Sequence, residues 1–242
     1  MNHSHSTDIK VQIVNTHNLM DKEVVIAAYD KELNWVSELN DDVKVTIYRK
    51  GDVLPLSDGE IKIEPNMGRC VHSFFKHIYD NYDNLSDITF FVQDYPFDHW
   101  EDVVDVVNDE TWVDRCALQI DGYYGFHFNT IKKPGPKGGI MWTLSPSIQH
   151  GNGRVLICQS NGFPQDRNPK INVDSYWVKL FDDNKPPTYE FMPGGHFGIT
   201  KESVIIRSKE FYGKVIELLE NDDTAPWMIE RLECYIFNKK YN

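Results

Sequence analysis

Two aspartates, Asp94 and Asp98, close the run ITFFVQDYPFDHW between Ile88 and Trp100, directly after a segment apolar at nearly every position. A run that is apolar on both sides of its alternation is what a strand covered on both faces requires. In open α/β sheets ligands bind beyond the carboxyl ends of the strands, so acids at that point face the region where a ligand arrives. Carboxylates there can hold a hard divalent cation, Mn²⁺ or Mg²⁺, and the cation can neutralise a diphosphate during group transfer. The competing reading is that Asp94 caps a turn ahead of Pro96 and Asp98 caps a helix beginning near Trp100.

A second group lies in EPNMGRCVHSFFKHIYDNYDNL. Val71, Phe74, Phe75, Ile78, Tyr79 and Tyr82 recur at offsets of three, four, seven, eight and eleven, which is one apolar face of a helix. Asn66 can cap that helix, and Gly68 leaves room for a ligand at its first turn, where unpaired amides and Arg69 can meet an anion. The plainer reading of Asn66 and Gly68 is a turn. Further on, Gly194 and Gly195 in FMPGGHFGIT allow close approach of backbone to a sugar, just before His196. His196 is equally accounted for as a buried, hydrogen-bonded core residue.

These residues need a scaffold, and the chain supplies the pattern of one. EVVIAAYD (Glu23 to Asp30) and VKVTIYRKGD (Val43 to Asp52) read as strands separated by the short helix and turn of ELNWVSELNDD. Strand, helix, strand begins a parallel sheet. The signal weakens between Glu101 and Tyr189: EDVVDVVNDETWVDRCAL reads as helical, and IKKPGPKGGI as a loop. Lys132, Lys133 and Lys137 in that loop fit a lid over a diphosphate, or a solvated loop. Tyr123, Trp142, Tyr176 and Trp177 are candidates for stacking on acceptor sugars or for packing. Helical periodicity returns in SKEFYGKVIELLEND and in APWMIERLECYIFNK, the latter with Pro226 in its first turn.

The 242 residues suffice for one large α/β domain with a sizeable core, and 40% hydrophobic and 13% aromatic content fit a globular chain. A formal charge of −12 excludes an electrostatic grip on nucleic acid, which needs clustered Lys and Arg. The four cysteines form no CxxC pair, so neither a zinc site nor a disulfide scaffold is indicated. Residues 1–20 read as a poorly ordered tail, with neither a signal peptide nor a transmembrane segment, and the expected location is cytoplasmic.

The order of these segments, from about Glu23 to Asp98, resembles the nucleotide-sugar half of GT-A-fold glycosyltransferases. VVIAAYDKELNWVSEL, PNMGRCVHSFFKHIYDNYDNL, FFVQDYPFDH, GGHFGIT and APWMIERLECYIF are also similar to a narrower family known only as a domain of unknown function. The resemblance implies a mixed, mainly parallel sheet flanked by helices in one domain, with a donor half near 21–110 and an acceptor half near 111–242. It implies a nucleotide-sugar donor, a glycan or other hydroxyl acceptor, and an assisting Mn²⁺ or Mg²⁺. Ala28 and Tyr29 would lie beside the base, Asp52 near base or ribose, Gly68 and Arg69 near the phosphates, and Asp94, Asp98 and His196 at the metal. The usual Asp-x-Asp spacing is absent, since three residues separate Asp94 from Asp98. Glu230 is the expected base for the acceptor hydroxyl, with Asp222 and Asp223 as substitutes; as an ordinary residue it would lie on the solvent face of a helix. A hydrolase using Asp94 and Asp98 on water, or a noncatalytic carbohydrate-binding protein, are the alternatives.

Overall fold

The computed structural model describes residues 20–51, 59–98, 100, 102–109, 123–126, 141–142, 156–158, 172–181, 185–187, 189–191 and 195–238. In chain order the strands are β1 (Lys22–Ala28), β2 (Val43–Arg49), β3 (Glu60–Ile63), β4 (Ile88–Gln93), β5 (Tyr123–Phe126), β6 (Met141–Trp142), β7 (Leu156–Cys158), β8 (Tyr189–Phe191) and β9 (His196–Thr200). The helices are α1 (Arg69–Asp80), α2 (Val103–Asn108), α3 (Val173–Leu180), α4 (Lys201–Val204), α5 (Lys209–Asn221) and α6 (Ala225–Ile236), with 3-10 turns at Asn34–Glu38 and Pro96–Asp98.

Strand β1 is buried along its whole length because it divides two cores. Val25 and Ala27 face one side with Phe91 of β4, Val71, Phe74, Phe75 and Ile78 of α1, and Ile229, Leu232 and Ile236 of α6. Val24, Ile26 and Ala28 face the other with Trp35 and Val36 of the first 3-10 turn, and with Trp100, Val103 and Val107 around α2. The period-two alternation of a strand thus feeds two hydrophobic layers, each fully buried large side chain contributing about 1.5–3 kcal/mol.

The main sheet runs β3-β2-β1-β4-β9-β5. Strands β1 to β4 are mutually parallel, as the sequence predicts. Strand β9 lies antiparallel to β4, with Phe91 opposite Phe197, and β5 is antiparallel to β9. The sheet is therefore mixed, and it draws β5 and β9 from the half of the chain beyond residue 110, so the expected donor and acceptor halves share one sheet. A smaller antiparallel sheet, β6-β7-β8, accompanies it. Among the described residues no helix is long and apolar enough to cross a membrane. The expected tail of residues 1–20 falls, apart from Met20, outside the described residues.

Gly51, just beyond β2, sits against the chain leaving β1: a Cβ there would lie 2.0 Å from the carbonyl oxygen of Tyr29. No side chain fits at that distance, which accounts for glycine at this crossing.

A buried carboxylate anchors the other end of the sheet. Glu23 is 1% exposed. Its Oε1 accepts from Thr46 Oγ1 at 2.6 Å and pairs with Lys44 Nζ at 3.1 Å; its Oε2 accepts from Ser86 Oγ at 3.1 Å and lies 3.5 Å from His77 Nε2. Burial alone would raise its pKa, but His77, Thr46 and Lys44 outweigh burial and bring it down to about 2. Since the folded pKa lies below the unfolded one, the stabilisation is present above the unfolded value of 4.5 and is lost as pH falls toward about 2. At about 1.4 kcal/mol per pKa unit this amounts to on the order of 3 kcal/mol. We expect Glu23→Gln to lower stability at pH 7 and to flatten the fall in stability between pH 5 and pH 2, measured by urea unfolding at stepped pH.

Candidate functional site

The parallel order β3-β2-β1-β4 places a change of direction between β1 and β4, the crevice where ligands bind in open sheets. Asp94 follows β4 there, and its carboxylate is already engaged. Oδ2 accepts the backbone N–H groups of Tyr29, Asp30 and Lys31 at 2.9, 3.1 and 3.1 Å, while Oδ1 faces the Tyr95 N–H at 3.0 Å. The Asp94 carbonyl accepts from Trp35 Nε1 at 2.9 Å. Successive amides converging on one oxygen form an anion nest, and here the anion is the protein's own.

The acid expected to hold a metal therefore caps a turn. A cation on Oδ2 would compete with three N–H donors for that oxygen. His196 is 2% exposed, and its Nε2 accepts from the Gln93 N–H at 3.4 Å, so that nitrogen serves the β4 backbone. Asp98 lies in the second 3-10 turn, with its side chain outside the described residues. Among the described residues no group of three or more His, Cys, Asp and Glu is gathered as a metal centre. Of the expected metal ligands the side chains of Asp94 and His196 are described, and both are engaged by backbone N–H groups.

Beside this crevice, at the start of α1, lies a second polar cluster. The N-cap is Gly68, at φ 60° and ψ 15°, and no side chain caps the helix, so the expected capping by Asn66 does not occur. Glycine is required by backbone conformation and by space, since a Cβ at 68 would lie 2.6 Å from His72 Cβ. Arg69 is the one non-glycine residue with positive φ among those described, at 54°. Its guanidinium lies 4.4 Å from the ring centroid of Trp227 on α6, a cation–π contact. No carboxylate among the described residues lies within ion-pair distance of Arg69.

Lys50, one residue beyond β2, reaches beneath this turn. Its side chain is 4% exposed; Nζ donates to the carbonyls of Met67 and Arg69, each at 2.6 Å, and lies 3.7 Å from Glu64 Oε2. Burial lowers its pKa, with Glu64 opposing the shift. Ser73 Oγ donates to Glu64 Oε2 at 2.8 Å, and His72 stands between Glu64, 3.7 Å from Nδ1, and Glu220, 3.2 Å from Nε2. Burial would raise the Glu64 pKa, but His72, Ser73 and Lys50 hold it below the ordinary carboxylate value.

Helix α6 faces this turn. Its Glu230 and Glu233 reinforce burial in pushing the Cys70 thiol up to about 12, against Lys50 and Arg69. Gly195, at φ 66°, comes so near that a Cβ on it would lie 3.6 Å from Cys70 Sγ. The fold thus brings Gly68, Arg69, Glu230 and Gly195 to one edge of the sheet. Glu230 is half-buried, its side chain 18% exposed, and not on the open solvent face.

The remaining expectations fall elsewhere. Tyr29 is 53% exposed at the end of β1, while Ala28 is buried in the second core and its carbonyl accepts the Lys50 N–H at 2.8 Å. Asp52, Lys132, Lys133, Lys137 and Gly194 lie outside the described residues, as do the side chains of Tyr123 and Trp142. Tyr176 and Trp177 are core residues, 2% and 1% exposed, and offer no stacking surface. Asp222 accepts from Tyr176 Oη, Thr224 N–H and Thr224 Oγ1; burial notwithstanding, these bonds lower its pKa, as befits a cap ahead of α6. Lys50 and Trp227 were not found by sequence reasoning. The partial signal for Trp227 is its spacing three before Glu230, which puts both on one helical face.

A mixed α/β domain whose strand ends, first helix start and last helix converge on one edge is the class defined by this fold and site. The chain belongs to the family described as Protein of unknown function (DUF3431), matched over residues 24–242. No curated protein matches it.

We expect Asp94→Asn to lower stability by about 0.5–2 kcal/mol, the cost of losing a good cap. The difference should be the same in chelator and in Mn²⁺, by thermal melts. A loss that appears only with Mn²⁺ would restore Asp94 as a metal ligand.

Proposed function

We propose that the chain is a glycosyltransferase, moving a sugar from a nucleotide-diphosphate donor to an acceptor hydroxyl. The observation that carries the reading is the meeting, at the carboxyl edge of the parallel strands, of an uncapped α1 start, the unpaired cation of Arg69 and the carboxylate of Glu230. The overall resemblance of the segment order to GT-A enzymes supports it. An uncapped helix start carries unsatisfied N–H groups and the positive end of a dipole, which suits a diphosphate.

In this reading Tyr29 offers its exposed ring to the base, and Arg69 with the α1 amides takes the diphosphate. Glu230 accepts the proton of the acceptor hydroxyl. The acceptor oxygen then bonds to the anomeric carbon, and the bond from that carbon to the diphosphate oxygen breaks, its electron pair leaving with the diphosphate. Developing charge on the leaving group is met by Arg69 and the α1 dipole.

The test begins with thermal shift against a panel of nucleoside diphosphates, in chelator and in Mn²⁺; a ligand at about 100 times its Kd stabilises by roughly 2.7 kcal/mol. Arg69→Ala should weaken the bound nucleotide by about 1.5–3 kcal/mol, the range for a hydrogen bond to a charged group. Glu230→Gln should keep nucleotide binding and reduce transfer by at least about a hundredfold. Absence of any nucleotide-dependent shift would sink the proposal, and sugar release without an acceptor would identify a hydrolase instead.

A further inference from the structure

Two consecutive residues in the left-handed region, one of them an arginine, form a conformation that a chain does not adopt unaided. Gly68 tolerates it, but Arg69 at φ 54° does not rest there without restraint. The restraint is visible on the inner side of the turn. The Lys50 ammonium, 4% exposed, donates to the carbonyl before Gly68, that of Met67, and to the carbonyl of Arg69 itself. The two acceptors bracket the left-handed pair. On the outer side, the Arg69 guanidinium lies on Trp227.

We propose that Lys50 is a positioning residue: it pins the Met67 and Arg69 carbonyls inward, holds Gly68 and Arg69 left-handed, and so aims the first α1 amides and the Arg69 guanidinium at the ligand edge. The inference rests on the reading of Arg69 as the diphosphate contact. A buried ammonium suits the task. It has three donors, two used on the carbonyls, and the third side of the head faces Glu64, which compensates its charge. Glu64 is in turn fixed by Ser73 on the first turns of α1, so the cation and the helix it pins share one anchor. A lysine serving only as packing would not direct both short bonds at the two carbonyls flanking the strained pair.

The variant Lys50→Met keeps the length and apolar stem of the side chain while removing every donor. In hydrogen exchange, the His72 amide, which donates to the Gly68 carbonyl at 3.0 Å, should lose at least about tenfold protection, with Phe74 to Ile78 in the middle of α1 unchanged. Nucleoside-diphosphate affinity should fall at least about fivefold, and Lys50→Met combined with Arg69→Ala should lose less than the sum of the two single losses, because both disturb the guanidinium contact. Should Lys50→Met not fold, Lys50→Gln, whose amide can reach one carbonyl, should give a smaller loss of protection at the same His72 amide. Unchanged exchange at His72, equal loss along the whole of α1, or fully additive losses of affinity would each overturn the proposal. If Arg69→Ala leaves nucleotide affinity untouched, the diphosphate reading fails, and the exchange data still decide whether Lys50 holds the turn.

Discussion

The Asp94 carboxylate joins the ends of β1 and β4 across the place where the sheet changes direction, and much of the upper surface follows from that bond set. Three amides from Tyr29 to Lys31 converge on one oxygen, which defines how the chain leaves β1. The same residue accepts from Trp35 through its carbonyl, and so sets the 3-10 turn that covers the second core. Charge-assisted bonds of this sort are stronger than neutral ones. The opening where another open sheet would receive a phosphate is thereby filled from within, and the polar surface left for a ligand moves toward the start of α1.

Helix α1 is placed by two buried acids as well as by its apolar face. Glu64 binds Ser73 near its beginning, and Glu23 faces His77 near its end. An apolar stripe alone tolerates sliding by a turn, about 5.4 Å. Two buried carboxylates do not, because a slide would strip each of its compensating partners. Apolar packing against α5 and α6 gives the helix its affinity for the sheet, and the acids give it its register. The formal charge of −12 does not describe the ligand edge locally, where Lys50 and Arg69 stand among the carboxylates of Glu64, Glu230 and Glu233.

The elements were legible in the sequence where periodicity carries information. The offsets from Val71 to Ile78 predict α1, the double-sided apolar runs predict β1 and β4, and both C-terminal helices stand close to their expected positions. Strand direction was less legible. FGIT reads as a strand, but nothing in its composition says that β9 runs against β4 between β4 and β5. In the site, Arg69, Gly68 and Glu230 were named from the sequence and meet on one edge, whereas Asp94 was read as a metal ligand or as the cap of a turn before Pro96. The N–H groups that donate to its Oδ2 lie 63 to 65 residues away in the backbone, and backbone amides carry no sequence signature. Lys50 escaped for the same reason, since its partners are the carbonyls of Met67 and Arg69.

The crossing at Gly51 has an evolutionary consequence. With only 2.0 Å between a would-be Cβ and the Tyr29 carbonyl oxygen, every single-base change that replaces this glycine meets a steric wall. Drift in the lineage must therefore pass around position 51. A side chain at the point where the chain departs from β2 would cost the packing of this edge.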